Sequence, residues 1–131
     1  MEELSVKTRS KIEMIDITRL VNDVVSLSNV KQGLCIVFVP HTTAAVTINE
    51  NADPAVLKDI IEELNKMIPL QNNYRHMEGN SAAHIKATLT GSSQTVIIEN
   101  GELQLGTWQS LFFCEYDGPR NRKAFIKIIT G

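Results

Sequence analysis

Apolar and polar positions along the chain lay out most of its elements. Leu4 and Val6 alternate with polar neighbours, which predicts an opening strand, and a second short strand is expected over residues 11–15. Ile17, Leu20, Val21 and Val24 recur at i, i+3, i+4 and i+7, the stripe of an amphipathic helix, with Asp16 or Thr18 able to take its first free amides. Gly33 is expected to close the polar link that follows. Residues 34–39 (LCIVFV) form a continuous apolar run that predicts a strand covered on both faces, stopped by Pro40. Residues 44–48 (AAVTI) predict another strand. Asp53 suits an N-cap and Pro54 the first helical position, opening a helix that would bury Leu57, Ile60, Ile61 and Leu64.

Residues 69–82 are polar and turn-rich without periodicity, and a connection of that length in a small domain is usually functional or mobile. Residues 82–89 are expected to form a helix turn, and residues 94–99 a strand. Asn100-Gly101 tolerates positive φ at both turn centres, so a hairpin should follow. Residues 111–115 and 124–129 close the list of strands, joined through Asp117-Gly118-Pro119. The sum is a single α+β domain over residues 1–131, with seven or eight strands in mixed or antiparallel sheets and two main helices.

Composition narrows the partners. With 13 basic against 15 acidic residues the net charge is −2, too near neutral for non-specific grip on nucleic acid. No apolar stretch approaches the roughly 20 residues of a membrane span, and MEELSVKTRSK lacks the apolar core of a secretory signal. Cys35 and Cys114 lie inside apolar runs and read as buried thiols of a reducing compartment, so a cytoplasmic location is expected.

The candidate chemistry clusters in three segments. His41, His76 and His84 are the only histidines, and three imidazoles suffice to hold one transition metal with an open position. His41 follows Pro40 at a strand end, where a hydrogen-bonded structural role is the competing reading; Thr42 and Thr43 could hold an anion or simply enter the next strand. Asn49, Glu50 and Asn51 precede a helix N-terminus, which favours anions, although loop chemistry explains the asparagines equally. His76 and His84 bracket Glu78-Gly79-Asn80-Ser81, a turn that lets one ion be reached from both sides at a spacing that matches no standard zinc motif. Glu78 could move protons, and Gly79 would admit a ligand close to the backbone. Glu115 ends an apolar strand, and Arg120, Arg122 and Lys123 form a basic cluster behind a turn, arginine being suited to clamp phosphate or carboxylate. Trp108 reads as a core residue by its large apolar area.

These segments resemble the YjbQ family: His41-Thr42-Thr43 followed by TINENADP, Arg75-His76-x-Glu78-Gly79 followed by AHIKA, and LGTWQ leading to CE and a Gly/Arg turn. The match runs from about Gly33 to the C-terminus. The resemblance implies a compact α+β homotrimer with a polar cleft that takes a metal and often an anion. It implies metal ligation by His41, His76 and His84, with zinc favoured. It also implies a weak thiamine-phosphate synthase activity, which joins hydroxymethylpyrimidine diphosphate to a thiazole phosphate and expels pyrophosphate.

Three functions follow as expectations. The first is a metal-dependent small-molecule enzyme, synthase-like, in which Arg120 or Arg75 neutralises the departing charge and Glu78 or Glu115 moves protons. Thr42, Thr43, Asn49, Asn51, Gly79, Asn80 and Ser81 would bind the phosphorylated molecule. The second is a metal-dependent phosphate or ester hydrolase built from the same residues. The third is a non-catalytic module that binds a small anion or heterocycle.

Overall fold

A computed structural model describes residues 1–131. The elements run β1 (Glu2–Lys7), β2 (Glu13–Asp16), α1 (Thr18–Ser28), β3 (Gln32–Phe38), β4 (Ala44–Glu50), α2 (Pro54–Met67), α3 (Ser81–Thr90), β5 (Ser93–Glu99), β6 (Glu102–Leu103), β7 (Gln109–Glu115) and β8 (Asn121–Thr130). All strand pairs are antiparallel. A five-stranded sheet has the order β1-β8-β3-β5-β6, and a three-stranded sheet the order β2-β7-β4. The α+β expectation holds, with eight strands and three helices.

The two sheets pack face to face. Val37, Ile126 and Val96 from the larger sheet meet Val46, Leu111 and Phe113 from the smaller one, and Val21 and Val25 of α1 complete this main core. The far face of the smaller sheet carries a second core, where Phe112, Cys114 and Tyr116 of the β7 segment and Ala45 of β4 meet Ala83 and Ala87 of α3. Strand β7 is therefore buried on both faces, because alternate residues serve different cores.

Local chemistry explains several boundaries. The Asp53 carboxylate accepts from the Ala55 amide at 2.9 Å and Pro54 opens α2, as expected. The Asp16 carboxylate accepts from the Thr18 amide at 2.9 Å at the head of α1. Asn100 and Gly101 take positive φ (54° and 77°) and turn β5 into β6.

Four expectations are corrected. Gly33 does not close the link but sits within β3, where a Cβ would strike the Ile129 carbonyl of the neighbouring strand. Strand β3 is covered on one face only: Leu34 and Phe38 stay 39% and 44% exposed, because nothing in the chain covers that side of the larger sheet. The stripe on α2 is half-buried at best, since that helix lies over the edge of the second core instead of inside it. Trp108 is exposed, in the turn before β7, because β7 fills both cores with residues 110–115. No helix is long and apolar enough to cross a membrane.

Candidate functional site

The chain crosses between the sheets at one end of the sandwich. Residues 39–43 carry it from β3 to β4, and residues 116–120 carry it back from β7 to β8. The connection between α2 and α3, with the head of α3, lies over these crossings. Between them is a cavity of about 430 Å³. His41, Thr42 and Thr43 line one side, His76, Glu78, Asn80 and His84 a second, and Arg120 and Arg122 a third; apart from Pro40 every lining residue is polar or charged. All three histidines thus reach one cavity from distant segments.

A buried ion pair anchors it. Glu115 is fully buried and accepts from Arg122 Nε at 2.8 Å, from Arg122 Nη2, from Thr8 Oγ1 at 2.7 Å and from the Asp117 amide at 3.0 Å. Arg122 Nη2 also donates to Thr43 Oγ1 at 2.8 Å. Burial alone would raise the Glu115 carboxyl, but the hydrogen bonds from Arg122, Thr8 and the Asp117 amide outweigh it and hold the pKa below the usual range. Folding therefore favours the carboxylate form of Glu115, and its acceptor sites are filled. The expected acid/base role is corrected: it positions Arg122.

A second network surrounds Asp117. Its carboxylate accepts from Lys11 Nζ at 2.6 Å, Asn80 Nδ2 at 2.9 Å and Arg120 Nη2 at 2.9 Å. Arg120 Nε donates to the Asp117 carbonyl at 2.8 Å. Asn80 Nδ2 also donates to Glu78 Oε2 at 2.7 Å, so Glu78 is tied to the same chain of contacts while staying exposed. Both arginines bond through Nε and Nη2, which leaves their Nη1 groups for a ligand. Burial would raise the Asp117 carboxyl, yet the bonds from Lys11, Asn80 and Arg120 hold it down at about 2. A carboxyl depressed on folding stabilises fully above its unfolded pKa, and that contribution fades as pH falls through the folded value. The melting temperature should therefore drop between about pH 4 and pH 2, and Asp117→Asn should flatten that slope. An equal slope in the variant would refute it.

The histidines divide into a pair and a single ring. The His76 and His84 ring centroids lie 5.4 Å apart, edge to face. That separation is of the order that two imidazoles sharing a tetrahedral ion at about 2.0–2.1 Å would show. His41 does not fit as a third ligand in this arrangement. Its Nε2 accepts from the Lys123 amide at 2.9 Å. Burial, then the Arg122 charge, lowers its pKa, so the ring is neutral and its proton rests on Nδ1. No group of three or more His, Cys, Asp or Glu side chains converges as an ion cage.

Other expected site residues lie elsewhere. Asn49 lines a groove with Leu64 and Tyr116, and Asn51 Nδ2 donates to Ser110 Oγ at 2.5 Å in another. Strand β4 separates them from Thr43, and six steps of a strand span about 20 Å. Glu50 pairs with Gln109 near that remote end. Gly79 turns with φ 80° beside the cavity, and neither it nor Ser81 lines it. Arg75 is likewise outside the lining, and the Lys123 ammonium faces Glu3 at 3.7 Å. In the sequence the DGPR turn is the one signal for Asp117, and no local pattern marks Thr8.

Sandwich, crossing loops and cavity define an α+β protein with a polar cleft at one end. The chain matches the family described as UPF0047 protein YjbQ-like over residues 2–131, and it belongs to that family. It is 53% identical over 124 residues to a UPF0047 protein of Methanocaldococcus jannaschii, spanning 95% of this chain and 90% of that one. It is 48% identical to UPF0047 protein YugU of Bacillus subtilis over 98% of both chains. The crystal structure of an uncharacterized conserved YjbQ/UPF0047 family protein from Clostridium acetobutylicum superposes with a TM-score of 0.97 at 57% identity, covering 98% of this chain and 100% of that one.

Proposed function

We propose that this cleft binds a phosphate-bearing small molecule or a related anion, and that the protein acts on it as a metal-dependent enzyme. The observation that carries the reading is the pair of arginines with free Nη1 groups, one of them locked in place by a fully buried carboxylate. Donors fixed before the ligand arrives need no reorganisation when charge develops, which is how such groups accelerate transfer of phosphoryl or pyrophosphate groups. Neutral His41, with its proton on Nδ1, adds a donor to the same cavity, and Thr42 adds a hydroxyl.

His76 and His84 would hold the ion, zinc by the chemistry of neutral imidazole, with Glu78 as the acidic side chain of the same cavity. Bound there, it would supply Lewis-acid polarisation to an oxygen of the anion. Glu78 carries the proton-transfer role, because it is exposed and its one hydrogen bond comes from Asn80. The synthase-like transfer between a pyrimidine diphosphate and a thiazole phosphate and the hydrolysis of a phosphate ester both use these donors. The apolar outer face of the larger sheet, where Leu34 sits between Ile97 and Ile129, supports association into a homotrimer. Two buried free thiols suit a cytoplasmic setting.

Untagged, zinc-loaded protein should release thiamine phosphate from the two phosphorylated precursors, or phosphate from a panel of monoesters, and Arg122→Gln should abolish that turnover. Thermal stabilisation by phosphate without turnover under any divalent metal would reduce the protein to an anion-binding module. Neither stabilisation nor turnover would end the proposal.

A further inference from the structure

Beside the histidine cavity lies a second one, of about 310 Å³, between α2, α3 and the loop before β2. The two share only Asn80 as a wall. Their chemistry differs. Ile12, Leu70, Ala82, Ala83 and Tyr116 give the second cavity an apolar body, and at one side stands Lys86.

Lys86 is 3% exposed, yet it belongs to none of the ion pairs of the fold. Its ammonium makes a single hydrogen bond, Nζ to Asn65 Oδ1 at 2.5 Å. Two of its three donors have no acceptor. A buried ammonium without a counter-charge is costly, and a protein that wanted only packing there would be better served by methionine. Lys11, the other cation of the cavity, is already committed to Asp117. Asn80, the residue the two cavities share, has a buried Oδ1 with no hydrogen-bond partner.

We propose that this cavity binds a small molecule with an apolar body and a carboxylate end, the carboxylate pairing with Lys86. The inference stands on this cavity alone and does not depend on a metal or on turnover next door.

The test uses hexanoate and hexan-1-ol as probes on the whole chain, followed by amide chemical shifts. Hexanoate should bind saturably, moving the amides of Ala82, Ala83, Lys86 and Tyr116, and the alcohol should bind at least about tenfold more weakly, as expected for loss of a charge-assisted contact. Lys86→Met should lose hexanoate affinity by a similar factor while leaving alcohol affinity unchanged. Leu70→Trp, a substitution at a half-exposed wall that leaves the core alone, should weaken both probes by narrowing the cavity. The proposal is overturned if hexanoate does not saturate, if alcohol and acid bind alike, if both variants bind hexanoate as the natural chain does, or if the shifts fall at His41, Arg120 and Arg122 instead.

Discussion

Glu115→Ala should destabilise the fold by about 3–5 kcal/mol, the cost of breaking a buried ion pair by removing one partner. The loss arises because Arg122, itself buried, would keep its charge with only Thr43 to satisfy it. Thr8 Oγ1 and the Asp117 amide would lose their acceptor in the same stroke. For a chain of this size the melting temperature should fall on the order of 10–20 °C. Glu115→Gln should cost less, since an amide oxygen still accepts from some of these donors. Urea unfolding of the three proteins checks it; a loss under about 1 kcal/mol for the alanine variant would mean that the pair is not held dry.

The second large effect separates the histidines. His84→Ala should lower zinc affinity at least about 100-fold, exceeding the 10–100-fold that even outer partners of a metal site cost. His41→Ala should change zinc affinity little, because its Nε2 is already engaged by the Lys123 amide, and should instead weaken phosphate binding. Zinc titration of untagged protein reads the first, and phosphate-dependent melting the second. Equal loss of zinc in both variants would show that His41 leaves Lys123 to ligate. Retention of zinc in His84→Ala would remove the metal from this cleft.

Periodicity found helices α1 and α2, the Asn100-Gly101 turn and most strands, because those signals are local: a stripe at 3.6 residues, a capping carboxylate, a dipeptide that accepts positive φ. It misjudged which strand is covered twice. The run 34–39 and the run 111–114 are both wholly apolar, but only the second has a core on each side. An apolar side chain facing water, or facing another copy, looks the same in a sequence as one facing its own core. Trp108 went astray for the same reason.

By itself the sequence determined the α+β class, the turn chemistry and the three segments from which the cleft is drawn, since residue type and spacing along the chain carry that information. Only the tertiary structure decided what each group in those segments is free to do. Glu115 became an anchor, His41 was turned toward a backbone amide, and Asn49 and Asn51 were left at the far end of β4. Those outcomes depend on which donor meets which acceptor across more than 70 positions of chain, as for Thr43 with Arg122 and His41 with Lys123, and no local pattern encodes such a meeting.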